Sequence, residues 1–273
     1  MSQPIGLFDS GIGGGSVLRE LRALLPAEDL LFLADQAHVP YGPRPADELR
    51  RLSLANVGWL AARGAKLVVV ACNTASAAAL GTLRASFPHL PFVGMVPAVK
   101  PAVSLTRSGV IGVLATAATV QGGLLDDVVQ RFAGDVRVLR QPCSGLVDQI
   151  EVGAVDHPQT EALLRRYLAP LLEAGADTIV LGCTHYPFVA PAIRRIVGPG
   201  VALIDAAPAV AAQTARCLDS RGIRAAPSHE GQVTYATTGD PAQLAALVAL
   251  LELPPGTAFL RAQIDAAVQV VHR

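Results

Sequence analysis

The segment Leu60-Ala-Ala-Arg-Gly-Ala-Lys-Leu-Val-Val-Val-Ala-Cys72 returns 111 residues later as Leu171-Leu-Glu-Ala-Gly-Ala-Asp-Thr-Ile-Val-Leu-Gly-Cys183. Each copy has Gly-Ala at its centre and continues through an apolar run and a small residue to a cysteine. A second pair of similar segments, IGLF at 5–8 and IGVL at 111–114, is separated by 106 residues. Two pairs at nearly equal offsets predict that the chain contains two related halves.

Apolar runs of strand length alternate with segments of helix length along the chain. The β-branched run at 67–71 is typical of a strand that is covered on both faces. Such alternation favours parallel sheets with helices on both sides. We therefore expect an α/β fold with two pseudo-symmetric α/β domains, each with a mostly parallel sheet flanked by helices, and an active site in the cleft between them.

The chain is expected to cross between the two halves near 97–101 and again near 206–208. One predicted domain therefore combines residues 1–97 with 209–273, and the second spans 98–208. The predicted strands are 5–8, 30–34, 67–71, 110–114, 136–139, 178–181 and 232–236. The predicted helices are 16–25, with Ser16 as its cap, 47–62, 75–86, 119–132, 158–174, 209–218 and 241–251.

Composition excludes several classes of protein. The 22 basic residues balance the 22 acidic ones, and a protein that binds nucleic acid needs a surplus of basic residues to neutralise phosphates. Hydrophobic residues make up 51% of the chain, yet no apolar run reaches the roughly 18 residues of a membrane-spanning helix. Four cysteines are too sparse for a disulfide framework. We expect a cytoplasmic protein that binds neither nucleic acid nor membranes.

Cys72 and Cys183 each follow a predicted buried strand directly. The carboxyl ends of parallel strands form the edge at which α/β proteins bind ligands, so two related halves would place one thiol on each side of a ligand. Inversion at a carbon stereocentre needs this arrangement, because one group removes a proton from one face and another delivers a proton to the opposite face. A thiol suits both roles, since its pKa of roughly 8.5 lies near working pH.

Other interpretations of the cysteines stay open at this point. Free cysteine is among the most buried residue types and often serves as a small core residue. We interpret Cys143 and Cys217 in that way. A zinc site is a weaker alternative, because Cys183 and His185 form a single close ligand pair.

The glycine-rich turn Asp9-Ser10-Gly-Ile-Gly-Gly14 follows the first predicted strand. Its backbone N–H groups, at the start of a helix, attract anions such as carboxylates. It is not a dinucleotide fingerprint, because Ser16 stands where the third glycine would be, and no Gly-Lys-Ser/Thr follows as in a phosphate-binding loop. Asp9 itself could receive an ammonium group or tune a nearby thiol.

Several further polar residues lie at predicted strand ends. Tyr41 and Gly42 belong to a loop that either caps a ligand or forms an ordinary turn. The hydroxyls of Thr116 and Thr119 either hold a carboxylate or cap the next helix. His185 either assists Cys183 or is a satisfied core histidine, and Glu151 is either a second assisting acid or a surface charge. The remaining candidates are the polar neighbours of the two thiols: Asn73, Thr74 and Thr184.

Four motifs in order resemble glutamate racemase, a family within the aspartate/glutamate racemase superfamily. They are Asp9-Ser10-Gly-Ile-Gly-Gly, Pro40-Tyr41-Gly42, Ala71-Cys72-Asn73-Thr74-Ala75 and Gly182-Cys183-Thr184-His185-Tyr186-Pro187. The resemblance extends to Tyr235-Ala-Thr-Thr-Gly-Asp240 and so runs through nearly the whole chain.

The resemblance implies an isomerase, independent of any cofactor, that interconverts L- and D-glutamate and supplies D-glutamate for peptidoglycan synthesis. It implies that Cys72 faces the α-hydrogen of the D-enantiomer and Cys183 that of the L-enantiomer. It further implies that Asp9, Glu151 and His185 assist proton transfer. The substrate-contacting positions that it implies are Asp9, Ser10, Tyr41, Gly42, Asn73, Thr74, Thr184 and His185.

The family resemblance also implies a homodimer, without indicating its interface. Three alternatives remain at this stage. One is an aspartate racemase, or a related decarboxylase, of the same superfamily; a decarboxylase would need one of the two cysteines. The second, of another class, is an interaction protein that binds DNA gyrase, for which the neutral charge gives no positive sign. The third is a carboxylate-binding module without turnover, which would not need two matched thiols.

Overall fold

The structure is a computed structural model, and it describes residues 3–264. Ten strands in this part of the chain form two sheets in which every paired neighbour is parallel. The larger sheet contains β1 (Ile5–Asp9), β2 (Leu30–Ala34), β3 (Leu67–Val70), β4 (Phe92–Gly94), β9 (Val233–Thr237) and β10 (Ala258–Arg261). The smaller sheet contains β5 (Val110–Ala115), β6 (Arg137–Pro142), β7 (Thr178–Gly182) and β8 (Ala202–Asp205).

At least one helix lies between every two successive strands, because parallel strands need a crossover connection. They are α1 (Gly15–Leu24), α2 (Ala46–Ala62), α3 (Asn73–Ser86), α4 (Val99–Leu105), α5 (Ala117–Gln121), α6 (Gly123–Phe132), α7 (Leu146–Glu151), α8 (Pro158–Glu173), α9 (Ala190–Val197), α10 (Ala207–Arg221) and α11 (Pro241–Leu250). Short 3₁₀ turns cover Ile12–Gly14 and Tyr186–Val189. Between residues 3 and 264, no helix is both long and apolar enough to span a membrane.

The strand orders confirm the predicted internal repeat. The larger sheet has the order β10-β9-β2-β1-β3-β4, and the smaller sheet has the order β6-β5-β7-β8. The four strands β2-β1-β3-β4 therefore correspond one to one with β6-β5-β7-β8. Cys72 follows β3 and Cys183 follows β7, so the two thiols occupy equivalent places in the two sheets.

The repeated residues have a packing role. A methyl group added at Gly6 in β1 would lie 3.3 Å from Leu60 Cδ1, and one added at Gly112 in β5 would lie 2.7 Å from Leu171 Cδ1. Leu60 and Leu171 are the first residues of the two repeat copies. In both halves, the leucine that begins the repeat thus packs directly on the backbone of the neighbouring strand, and glycine allows this close approach.

The central strands are buried on both faces, as their continuous apolar runs predict. In β1, Ile5 and Leu7 point into one core cluster and Phe8 into another, as the two-residue period of a strand requires. The first of these clusters also includes Ile111 and Ile179 from the smaller sheet. The apolar core is therefore continuous from one sheet to the other.

The two sheets divide the chain much as the predicted domains do. Strands of the larger sheet come from residues 5–94 and 233–261, and strands of the smaller sheet come from 110–205. The predicted domain boundaries at 97/98 and 208/209 stay a prediction, and residues 1–2 and 265–273 lie outside the described part of the chain.

Two predicted features are wrong in detail. Ser16 lies inside α1 rather than at its cap, and its hydroxyl donates to the carbonyls of Gly13 and Thr184. The helix predicted at 119–132 is broken into α5 and α6 at Gly122, where the backbone is extended and a Cβ would lie 3.2 Å from Ala77 Cβ. Close packing against α3 thus interrupts a segment whose pattern is helical. The shorter elements β4, β8, β10, α4, α7 and α9 were not predicted.

Gly81 offers a test of the helical assignment of α3. It lies in the helix interior, and an added Cβ meets nothing within 4 Å. We expect Gly81→Ala to raise the free energy of unfolding by about 0.5–1 kcal/mol, because alanine restricts the unfolded chain more than glycine does. Urea denaturation monitored by circular dichroism measures the change, and a lower midpoint than that of the unchanged chain would contradict it.

Candidate active site

A cavity of about 140 Å³ lies between the carboxyl edges of the two sheets. One enclosed water molecule needs a cavity volume of about 10–15 Å³, so this cavity has room for a small metabolite. Ten of the predicted site residues line it: Ser10, Tyr41, Gly42, Cys72, Asn73, Thr74, Thr116, Cys183, Thr184 and His185. Three do not reach its wall, namely Asp9, Thr119 and Glu151, and each of these contacts a residue that does.

The two predicted thiols face this one cavity from different halves. Both are buried and neither forms a disulfide. Cys72 is the N-cap of α3, where its sulfur accepts a hydrogen bond from the Ala75 N–H at 3.4 Å. Cys183 follows β7 and lies at the start of the turn that leads to Tyr186. The geometry therefore fits the two-sided arrangement that the sequence predicts.

The surroundings of Cys72 keep its thiol neutral. Burial is the main cause of a pKa well above the usual range, and the nearby Asp9 carboxylate raises the pKa further. The Cys72 thiol lies 3.8 Å from Ser10 Oγ, to which it donates. The Cys72 sulfur therefore keeps its proton.

Cys183 has a different partner. Its sulfur lies 3.7 Å from Nδ1 of His185, whose Nε2 is 2.6 Å from the Oε1 atom of Glu151. Burial alone would lower the pKa of His185, but hydrogen bonds to Cys183 and Glu151 raise it well above its usual value. The pKa of Glu151 is lowered in turn, against the effect of its burial, mainly by the bond from His185. The two residues form an ion pair that places a proton donor beside the sulfur of Cys183.

Asp9 lies behind the cavity wall and joins the two halves. Its Oδ1 accepts from the N–H of Ser10 at 2.5 Å and from the Ser10 hydroxyl at 3.1 Å. Its Oδ2 accepts from the Thr184 hydroxyl at 2.8 Å. Of the two roles considered for Asp9, the structure supports tuning of the nearby thiol Cys72, since the carboxylate does not line the cavity.

The polar groups around the thiols differ in what they offer a ligand. Both Asn73 side-chain polar atoms are buried and lack a hydrogen-bond partner, and the residue lines the cavity. An unpaired buried amide costs free energy, which a bound ligand could recover. Thr74 and Thr116 lie 2.8 Å apart at Oγ1 and face the cavity together, with Thr119 bonded behind them.

Tyr41 lines the cavity, and its hydroxyl is already engaged by other protein groups. The hydroxyl donates to Asp35 Oδ2 at 2.5 Å and accepts from Asn56 at 3.0 Å. Burial and the charge of Asp35 raise the pKa of Tyr41 well above its usual value. Tyr41 therefore shapes the cavity wall and does not serve as an acid or base there.

The sequence matches the family described as Asp/Glu/Hydantoin racemase over residues 14–214. The chain belongs to this family. A glutamate racemase from Roseiflexus sp. (strain RS-1) is 62% identical over 254 residues, which is 93% of each chain. The family resemblance of the sequence motifs is thereby confirmed, and the chain is an amino-acid racemase.

Solved structures of racemases share the fold over almost the full chain. A glutamate racemase isoform from Bacillus anthracis superposes with a TM-score of 0.86 at 29% identity, covering 98% of this chain and 99% of that one. Glutamate racemase from Escherichia coli, solved with L-glutamate and the activator UDP-MurNAc-ala, gives 0.84 at 31% identity and covers 96% and 99%.

Cys143, which the sequence suggests is a structural cysteine, also lines the cavity of this racemase. The residue is buried, and it lines the cavity together with the following segment Ser144, Gly145, Val147 and Asp148. Burial raises the pKa of Cys143 to about 12. The predicted strand at 136–139 ends three residues too early, and the true end of β6 at Pro142 places Cys143 at the same carboxyl edge as Cys183.

Within the described residues, no group of three or more His, Cys, Asp and Glu side chains is arranged to hold a metal ion. Cys183 and His185 form the ligand pair that was considered for zinc. In the structure, the second imidazole nitrogen of His185 is hydrogen-bonded to Glu151.

Gly11 tests the placement of Glu151. A Cβ at Gly11 would lie 2.0 Å from Glu151 Oε1, while its φ of −161° is accessible to any residue. Gly11→Ala should therefore displace the carboxylate without straining the backbone, and we expect racemase turnover to fall by about 10- to 100-fold.

Gly81→Ala is the matched control, because the added methyl group there meets no atom within 4 Å. Turnover followed by polarimetry, with thermal unfolding of both variants, makes the comparison. A Gly11→Ala protein with the turnover of the unchanged chain would show that the exact place of Glu151 does not matter.

Proposed function

We propose that this racemase interconverts L- and D-glutamate through Cys72 and Cys183, without a cofactor. The observation that carries the proposal is the pair of buried thiols, which face one cavity from equivalent positions of two related sheets. The Roseiflexus relative, at 62% identity, is a glutamate racemase, and the solved relative from Escherichia coli binds L-glutamate.

The polar wall of the cavity suits an amino acid with two carboxylates. Asn73 offers an unpaired amide, and Thr74 and Thr116 offer hydroxyls. Ser10 and Gly42, from the half that contains the larger sheet, line the same cavity. We assign these groups to the substrate's carboxylate and ammonium groups, since hydrogen bonds to carboxylate oxygens stabilise the charge that spreads there when the α-proton leaves.

The proposed reaction has two proton transfers. With L-glutamate, the Cys183 thiolate removes the α-proton, and the electron pair of the C–H bond passes into the adjacent carboxylate. The Cys72 thiol then donates its proton to the opposite face of the same carbon, and its own electron pair remains on sulfur. D-glutamate is the product, and the thiols have exchanged roles; the reverse reaction starts from Cys72 as thiolate.

The neighbours of each thiol support these roles. Burial and Asp9 favour the neutral form of Cys72, which is the form needed for proton donation when L-glutamate binds. The protonated His185, held by Glu151, stands next to Cys183 on the other face. We assign Asp9, His185 and Glu151 to assistance of proton transfer, as the resemblance to the family implies.

The cellular role follows from the product. D-glutamate is a precursor for peptidoglycan, so we propose that the protein acts in cell-wall synthesis in the cytoplasm. We also propose that it works as a homodimer, as the family resemblance implies.

The two thiols are tested by single serine variants. We expect Cys72→Ser and Cys183→Ser each to lower racemisation by roughly 100- to 10,000-fold, which is the usual contribution of an acid–base group. NMR in D₂O follows α-proton exchange of L- and D-glutamate separately. Each variant should retain at most the exchange of the enantiomer that faces its remaining thiol, which assigns the faces.

Cys217→Ser serves as the matched control, because Cys217 lies on α10 and does not line the cavity. It should racemise glutamate like the unchanged chain. Circular dichroism confirms that each variant is folded. If the unchanged chain left the α-protons of both enantiomers in place, glutamate would be excluded as substrate; if a folded serine variant racemised at full rate, the two-thiol mechanism would be excluded.

The ion pair of His185 and Glu151 predicts a pH effect. The raised pKa of His185 depends on its hydrogen bonds, and burial alone would lower it. In Glu151→Gln the carboxylate is absent, so the imidazolium should lose its proton at a lower pH than in the unchanged chain. We expect the alkaline limb of turnover from L-glutamate to move to lower pH, as measured by initial rates across the pH range.

The control is Glu161→Gln, which makes the same chemical change at an exposed carboxylate paired with Arg165 on α8. Its pH profile should match that of the unchanged chain. An alkaline limb that stayed in place in Glu151→Gln would show that Glu151 does not maintain the charge of His185.

A further inference from the structure

Glu151 belongs to the half that contains the smaller sheet, yet two donors from the other half hold its carboxylate. The N–H of Ile12, in the glycine-rich turn, donates to Oε1 at 2.7 Å. The side-chain amide of Gln36, just after β2, donates to Oε2 at 3.3 Å. Oε1 also receives the bond from His185, so both carboxylate oxygens are engaged and the carboxylate plane is fixed.

The amide of Gln36 is itself oriented from its other end. The hydroxyl of Thr237, at the end of β9, donates to Gln36 Oε1 at 2.9 Å. The same hydroxyl oxygen accepts from the N–H of Gly239 at 2.9 Å, which leaves its hydrogen free for Gln36. With its oxygen held by Thr237, the amide can present only its NH₂ group to Glu151.

We propose that Gln36 is a positioning residue for proton transfer at Cys183. The hydrogen bonds run without a gap from Thr237 through Gln36 and Glu151 to His185, which lies beside Cys183. Gln36 does not line the cavity, so it has no contact with the substrate and acts through Glu151. This inference rests on the proposed two-thiol reaction.

The arrangement acts on one thiol and not on the other. Cys72 has Ser10 and the N–H of Ala75 as its hydrogen-bond partners, and neither group is bonded to Gln36. Ile12 and Gln36, which donate to Glu151, belong to the half with the larger sheet, whereas Glu151 belongs to the half with the smaller sheet. His185 is therefore held in place while the halves stand close together, as they do in this structure.

The rate alone cannot show which thiol is affected. Enantiomers in water have equal free energy, so kcat/KM must be the same in both directions for the unchanged chain and for every variant. The primary deuterium isotope effect does distinguish the thiols, because it reports how far removal of the α-proton limits the rate. Each enantiomer gives up its α-proton to a different cysteine.

Gln36→Met tests the proposal, since methionine keeps the length of the side chain and removes the amide. We expect kcat/KM for glutamate to fall by about threefold to tenfold, as for loss of one hydrogen bond. If the substitution slows transfer of the α-proton to Cys183, the isotope effect on kcat/KM with [2-²H]-L-glutamate should increase. It should decrease the isotope effect with [2-²H]-D-glutamate, because transfer at Cys72 then limits the rate less.

Two further variants complete the test. Gln213→Met makes the same change on the exposed face of α10, where Gln213 is bonded to Arg216, and it should leave the rate and both isotope effects unchanged. Thr237→Val releases the oxygen of Gln36 and should shift the isotope effects in the same two directions as Gln36→Met. The double variant should be no slower than Gln36→Met, since both changes act through one bond to Glu151.

A merely structural role for Gln36 would lower the amount of active protein and leave both isotope effects unchanged, which would overturn the proposal. Isotope effects that move together would also overturn it, because the change would then not be confined to one thiol. These outcomes differ from failure of the proposed function, in which the unchanged chain would not racemise glutamate at all.

Discussion

A parallel sheet presents the carboxyl ends of its strands on one edge, and here two such edges face each other across a single cavity. The remaining features of the site depend on this constraint. Equivalent strands β3 and β7 end next to Cys72 and Cys183, so a ligand between the sheets has one thiol on each side. Inversion of a stereocentre requires groups on opposite faces, and in the proposed reaction the repeated fold supplies them without any special loop.

The two halves are alike in backbone but different in chemistry. Cys72 is buried near a carboxylate that favours the neutral thiol, whereas Cys183 stands beside an imidazole whose pKa is raised by its own partners. In the proposed two-thiol reaction, a symmetric pair of thiols would have no defined base and acid at the start. The unequal neighbours give the resting site one sulfur next to a positive charge and one that carries its proton.

Contact between the halves makes these neighbours possible. Thr184 donates to Asp9 across the cleft, and the N–H of Ile12 donates to Glu151. The glycine-rich turn is close to the second half at both places, because a side chain at Gly11 or Gly13 would occupy the positions of Glu151 and His185. The glycines therefore serve the approach of protein groups, in addition to any role toward a ligand.

The sequence by itself determined the repeated α/β halves and the placement of the two cysteines, because buried strands and their ends leave a local pattern of apolar residues. Only the tertiary structure decided three further features of the site: the hydrogen bonds from Thr237 to Gln36 and from Gln36 to Glu151, the place of Asp9 behind Ser10, and the presence of Cys143 in the cavity wall. These contacts join residues that are far apart in the chain, such as Gln36 and Glu151, and no local pattern encodes the hydrogen bond between them. Short elements such as α7, which carries Glu151, were missed for the same reason, since packing rather than periodicity holds them in place.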